Sequence, residues 1–168
     1  MTIDQLNNLS DEEAKSDFLL CCGSARWATQ MLERRPFTGT PDLYAAAEDI
    51  WDGLSSFDWM EAFSHHPKIG DLDSLRAKFA STKEWAAGEQ AGVQGAPEEI
   101  LKEIAEGNQR YEKKFGFIFI VSAAGKNATG MLDLLKERLS NDVATELKIA
   151  AGEQNKITRL RLQKLIQS

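Results

Sequence analysis

Two adjacent histidines, His65 and His66, are the only histidines in the sequence and the side chains best suited to proton transfer near neutral pH. His66 precedes Pro67, and a residue before proline is biased away from helical backbone angles. We therefore expect His66 at a helix end or in a loop, where it can donate or accept a proton. A surface or helix-capping histidine fits the same pattern, so the His-Pro pair alone leaves both interpretations open.

A Glu-Gln pair, Glu89 and Gln90, is the second candidate for chemistry. It lies late in a predicted helix over residues 81–91, about one turn from the apolar Trp85. Such a pair could orient a polar ligand. Glutamates on helices are usually solvated, however, and a solvated surface explains the pair equally well.

Arg161 interrupts the apolar face predicted for the last helix, because it lies four residues from both Ile157 and Leu165. This apolar stripe comprises Val143, Leu147, Ala150, Ile157 and Leu165. An inward-facing guanidinium requires an anionic or carbonyl partner, since leaving it unpaired costs about 3–5 kcal/mol. The partner could be a ligand or an internal salt bridge, and the sequence does not distinguish them.

The segment FGFIFIVSA, residues 115–123, is the only stretch rich in aromatic and β-branched residues. A lone strand has no partner, so we predict a buried extended segment that leads into a helix over 127–139. Its composition fits a simple core role. Backbone groups that neither helix nor sheet pairs could also bind a ring rich in donors and acceptors.

Helix signals dominate the rest of the chain. Ser10 and Glu13 form a capping-box pattern, Ser24 can cap the next helix, and Thr40 before Pro41 predicts a third helix start. With short connections throughout, the chain is predicted to be all-α: a single compact multi-helix domain over residues 1–168 with about eight helices.

Composition and charge exclude several classes of partner. Twenty basic and 26 acidic side chains give a net charge of −6, which argues against nucleic acid and anionic membranes. No apolar run approaches the roughly 20 residues of a membrane span, and the start lacks a signal-peptide pattern, so a cytoplasmic protein is expected. The adjacent Cys21 and Cys22 are expected to be reduced thiols, and the sequence offers no convincing metal-ligand set.

Several ordered motifs resemble one known family, that of 2-oxo-4-hydroxy-4-carboxy-5-ureidoimidazoline (OHCU) decarboxylase, and the resemblance covers most of the chain. The matching pieces are CCGSARWATQMLERRPF (21–37), HPKIGD (66–71), EWAAGEQAGV (84–93), YEKKFGFIFIVSAAGK (111–126) and ELKIAAGEQNKITRLRLQKL (146–165). The family is all-helical and forms (S)-allantoin late in urate oxidation, a part of purine breakdown. The resemblance therefore implies a lyase of that pathway.

The resemblance also implies roles for particular residues. The catalytic residues would be His66, Glu89 and Arg161. Substrate would be bound by Pro67, Gln90, Phe119, Ile120, Val121, Ser122 and Ala123. Many relatives have cysteine where this chain has Ser122, but the contacts there are made by the backbone. Family members use neither metal nor organic cofactor and usually form homodimers, so both properties are expected here.

The chemistry that the resemblance implies suits these residues. Loss of carbon dioxide leaves an electron pair, and the adjacent ring C=N carbon of the substrate can accept it without a cofactor. His66 would take the substrate hydroxyl proton or return one to carbon. A catalytically silent helical interaction module and another small ureide-processing enzyme are the alternatives, and an assay for chiral allantoin separates them.

Overall fold

The computed structural model describes residues 1–67, 72–80, 96–122 and 126–167. These residues contain nine helices and no strand, which confirms the all-α prediction. The helices are α1 (Ile3–Asn8), α2 (Asp11–Cys21), α3 (Ala25–Glu33), α4 (Thr40–Asp52), α5 (Ser56–Ser64), α6 (Leu72–Ala80), α7 (Ala96–Phe115), α8 (Ala128–Leu139) and α9 (Val143–Gln167). The short α1 was not predicted, and the helix predicted over 81–91 lies outside the described residues.

Side-chain caps determine where most of the early helices begin. Ser10 and Glu13 form the predicted capping box of α2, and the Ser24 hydroxyl accepts a hydrogen bond from the Trp27 N–H at 3.2 Å. The predicted cap at Thr40 is wrong by one residue, because Gly39 is the N-cap and Thr40 already belongs to α4.

Gly116 explains where the long helix α7 ends. Its φ of +79° lies in the left-handed region that favours glycine, and its N–H donates to the Glu112 carbonyl at 2.9 Å. Phe115, placed at the start of the predicted extended segment, is therefore the last residue of α7. Residues 117–122 form neither helix nor strand, as predicted, and Ile120 and Ser122 are buried.

The first of two compact units contains Met1–His66, Ile120–Ser122 and the part of α9 from Leu147 onward. Within it, α3 packs against α2, α4 and α5. Indole groups tie the helices together: the Trp51 Nε1–H donates to the Ala151 carbonyl at 2.9 Å. The helices of this unit hold His66 and Arg161 on a well-packed core.

The second unit contains the described residues of Pro67–Phe119 and Ala123–Glu146. Here α7 packs against α6 and α8. Gly107 allows a close approach in that packing, because a Cβ at this position would lie 2.6 Å from a methyl carbon of Leu135. The single domain predicted over residues 1–168 stays a prediction. None of the described helices has the length and apolar character of a membrane span.

Candidate active site

His66 lies just beyond the C-terminus of α5, as the His-Pro pattern predicted. A capping box of Ser55 and Asp58 starts this helix, and the His66 N–H donates to the Phe63 carbonyl at 3.2 Å after its last turn. Pro67 follows and carries no N–H to continue the ladder. His66 is half-buried there, whereas His65 is exposed.

The imidazole of His66 contacts a side chain that the sequence analysis did not single out, Gln154 of α9. The distance from His66 Nε2 to Gln154 Oε1 is 2.5 Å, and Gln154 is fully buried. The Gln154 amide nitrogen donates to the Thr158 hydroxyl at 3.1 Å, and that hydroxyl hydrogen-bonds to the sulfur of Cys22. A continuous line of polar groups therefore runs from His66 into the core.

Burial lowers the pKa of His66 below its ordinary value of 6.5. The hydrogen bond to Gln154 raises this pKa and opposes burial, while the charge of Arg161 and the neighbouring His65 lower it further. The imidazole is therefore neutral at pH 7 and holds one proton and one lone pair. A neutral imidazole is the form that can accept a proton.

Arg161 contacts carbonyl oxygens, one of the two kinds of partner expected from the sequence. Its Nη1 lies 3.4 Å from the carbonyl oxygens of both Leu20 and Cys21, at the C-terminal end of α2. Free carbonyls at a helix C-terminus carry partial negative charge and favour a cation. The side chain is half-buried, and its charge reaches His66 strongly enough to lower the histidine pKa.

The turn between α2 and α3 lies directly against His65. A Cβ on Gly23 would lie 2.5 Å from both Cβ and Cγ of His65, so only glycine fits this close approach. The preceding Cys21 and Cys22 are buried free thiols. Burial raises the pKa of Cys21 to about 12 and that of Cys22 to about 11, so neither is a thiolate at neutral pH.

The buried face of α9 differs from the predicted apolar stripe. Val143, assigned to that stripe, is 50% exposed. The residues that are buried recur mainly at a spacing of four and include polar ones: Glu146, Ala150, Ala151, Gln154, Thr158 and Leu162. Hydrophobicity cannot identify polar core positions, and this is why Gln154 was missed. Gln154 and Thr158 continue the four-residue spacing of the buried Ala150 and Leu162, and this spacing was the sequence signal that could have identified them.

The other predicted site residues fall in three groups. Ile120, Val121 and Ser122 belong to the first compact unit, together with His66 and Arg161. Pro67 and Phe119 belong to the second unit, where the Arg138 guanidinium lies 4.6 Å from the centre of the Phe119 ring. Glu89, Gln90 and Ala123 lie outside the described residues. In the described part of the chain, no cluster of three or more histidine, cysteine, aspartate or glutamate side chains could hold a metal ion.

The comparison with known proteins identifies the family. A half-buried histidine at a helix end, in the field of a half-buried arginine, can transfer a proton. A sequence profile described as OHCU decarboxylase matches residues 7–163. The chain belongs to the OHCU decarboxylase family.

Individual relatives agree with this assignment. The chain is 41% identical over 92% of its length to "Uric acid degradation bifunctional protein TTL" of Arabidopsis thaliana, and it covers 48% of that protein. It is 32% identical over 99% of its length to "2-oxo-4-hydroxy-4-carboxy-5-ureidoimidazoline decarboxylase" of Amia calva, and covers 95% of it. The chain thus spans about half the length of the bifunctional plant relative and nearly all of the second.

A solved structure described as OHCU decarboxylase in the presence of (S)-allantoin has a similar fold. Its TM-score is 0.74 at 40% sequence identity, over 95% of this chain and 100% of the other. An identity this high extends the likeness beyond the general helical architecture.

Proposed function

We propose that this chain decarboxylates OHCU to (S)-allantoin in urate degradation, without a cofactor and with His66 as the proton-transfer residue. The main support is the half-buried, neutral His66 held against Gln154 and within the field of Arg161, in a chain of this family. The names of its relatives supply the substrate class.

The reaction breaks one carbon–carbon bond, adds one proton to the ring nitrogen and one to the ureido-bearing carbon, and removes one proton from the hydroxyl. The bond between the carboxylate and the hydroxyl-bearing carbon breaks, carbon dioxide leaves, and the electron pair moves toward the ring C=N. A proton from solvent neutralises the ring nitrogen and leaves an enol-like intermediate. That intermediate becomes allantoin when its hydroxyl loses a proton and the ureido-bearing carbon gains one, so the net reaction consumes one proton.

His66 suits the last step because its depressed pKa leaves a lone pair available at neutral pH. It takes the hydroxyl proton and returns a proton to one face of the carbon, which makes the product chiral. Arg161 stabilises oxygen charge on the carbonyl side, because a tight clamp on the departing carboxylate would stabilise the ground state. Glu89, Gln90 and Pro67, with the backbone of residues 119–123, hold the ureido and ring groups.

The test compares His66→Asn with His65→Asn, using ultraviolet and circular dichroism assays on freshly made substrate. His66→Asn should keep its fold and lose on the order of 10²–10⁴-fold in turnover, and its allantoin should approach the racemate. His65→Asn keeps the Cβ and Cγ atoms that pack on Gly23 and should do little. Equal losses in both variants, or undiminished chiral product from His66→Asn, would remove His66 from the mechanism.

We further propose that the protein forms a homodimer, on the family resemblance, and that it works in the cytoplasm, as expected from the sequence. The first unit has exposed apolar side chains that a second copy of the chain could cover: Phe57 is 81% exposed and Leu20 is 73% exposed. Light scattering at micromolar concentration should give twice the 18.7 kDa mass of one chain. The mass of a single chain would contradict the dimer.

A further inference from the structure

The buried amide of Gln154 has a defined orientation. Its Nε2 donates to the Thr158 hydroxyl at 3.1 Å, so its Oε1 faces His66. Gln154 is fully buried and Thr158 is 3% exposed, so water does not compete for either group. The amide is therefore anchored at one end and presents only an acceptor to the imidazole at the other.

An acceptor on one ring nitrogen decides the tautomer of a neutral histidine. A carbonyl oxygen cannot donate, so the 2.5 Å contact requires that His66 Nε2 carries the proton. Nδ1 then holds the lone pair. Because the two nitrogens lie on opposite sides of the ring, the contact also determines which edge of the imidazole can accept a proton.

We propose that Gln154 is a positioning residue that holds His66 as the Nε2–H tautomer, so that Nδ1 is the atom that takes the substrate hydroxyl proton and returns a proton to carbon. This inference rests on the proposed role of His66. Gln154 itself does not touch substrate, and it acts through the histidine.

A neutral partner suits this task better than a carboxylate. An amide fixes the ring without adding charge, whereas a carboxylate at the same place would stabilise the imidazolium and keep the base protonated at neutral pH. The other charged or titratable groups that act on His66 are Arg161 of α9 and the adjacent His65, and both favour its neutral form. The Cys22 thiol at the far end of the polar line stays protonated.

The first test is a measurement of the ring nitrogens by ¹⁵N NMR on the full chain. With only two histidines, a His65→Asn sample assigns the His66 signals. The wild type should show one tautomer, protonated at Nε2, and Gln154→Met should show an average of both tautomers. Protonation at Nδ1 in the wild type, or the same averaging in both proteins, would overturn the proposal whatever the enzyme does.

The second test is kinetic and uses two substitutions of similar size and opposite electrostatic effect. Gln154→Met should lower kcat by about 10- to 100-fold with a smaller change in KM, the range seen when a supporting hydrogen bond to a functional histidine is lost. It should move the acid limb of the kcat profile to lower pH, because the bond that raises the His66 pKa is gone. Gln154→Glu should move that limb to higher pH.

If Gln154 had a merely structural role, both variants would change stability but would keep the acid limb of the kcat profile at its wild-type pH. That result would contradict the proposal. Gln163→Met, a half-exposed glutamine on the same helix, is the matched control and should leave kcat and the pH profile unchanged. If Gln154→Met does not fold, Thr158→Val provides a milder variant that removes the anchor of the amide, and its kcat should still fall.

The outcomes also separate this proposal from the proposed function. Full activity in His66→Asn would defeat the function assigned to His66, and the Gln154 proposal with it. A large loss in His66→Asn alongside normal kcat and pH limbs in Gln154→Met would defeat the Gln154 proposal alone.

Discussion

The buried face of α9 holds two polar clusters that differ in charge. Glu146 and Gln154 are eight residues apart on this helix, and both are fully buried. Glu146 accepts hydrogen bonds from the Arg138 Nε–H at 2.6 Å, from the Asn141 amide at 3.1 Å and from the Tyr111 hydroxyl. Gln154 contacts only neutral groups in the hydrogen bonds that join it to His66 and Thr158.

This difference in charge indicates different roles: the cluster around Glu146 is structural, and the cluster around Gln154 supports chemistry at His66. Burial is the main cause that raises the Tyr111 pKa above its ordinary value of 10, so the phenol remains a donor to Glu146. A buried ion pair whose members are hydrogen-bonded rigidifies the core around it. The neutral amide instead orients His66 and leaves its charge free to change during a reaction.

The largest effect is expected from Glu146→Ala. It removes the carboxylate that neutralises the buried Arg138, so the free energy of unfolding should fall by about 3–5 kcal/mol in urea titrations. Glu106→Ala removes an exposed carboxylate from α7 and should stay within about 0.5 kcal/mol of wild type.

A double variant sharpens this prediction. Arg138→Met with Glu146→Leu should cost less than Glu146→Ala alone, because no uncompensated charge remains buried. A Glu146→Ala protein as stable as wild type would show that the ion pair does not hold the second unit together.

The next effect is expected from a pair of helical glycines, one near each cluster. Gly107→Ala should destabilise by about 1–3 kcal/mol, because the new Cβ would lie 2.6 Å from one carbon of Leu135 and 3.2 Å from another. Gly152→Ala meets nothing within 4 Å, and it should stabilise by about 0.5–1 kcal/mol through helix propensity. Shifts in the urea midpoint measure both, and shifts of the same sign would contradict the packing described for α7 and α8.

Local features of the fold were predictable from sequence because they depend on neighbours within a few residues. The capping box of Ser10 and Glu13 needs only a hydroxyl and a carboxylate three positions apart, and the His-Pro pair placed His66 at a helix end. The family assignment was predictable because its motifs extend over most of the chain, and the profile match over residues 7–163 confirms it.

The partners within the site were not predictable in the same way. His66 and Gln154 are 88 residues apart, and Arg161 and Cys21 are 140 apart, so their contacts depend on how the helices pack. Hydrophobicity placed Arg161 near a buried face but excluded Gln154 and Glu146 from it. Both polar groups are buried because they have partners, and a linear sequence does not display partners.

The smallest expected effect is a pH dependence of stability that belongs to His66 and distinguishes the neutral cluster from the charged one. Because the folded-state pKa of His66 lies below 6.5, the folded protein binds fewer protons than the unfolded chain between that pKa and 6.5. The unfolding free energy must therefore rise with pH in this window, so the contribution is complete above pH 6.5 and is lost as pH falls through the folded pKa. Urea titrations from about pH 7.5 to about pH 5.5 should show a steeper loss of stability for wild type than for His66→Asn. Gln154→Glu should flatten or reverse the slope, since a carboxylate beside Nε2 stabilises the charged ring. Identical slopes in wild type and His66→Asn would mean that the imidazole is not held neutral by burial.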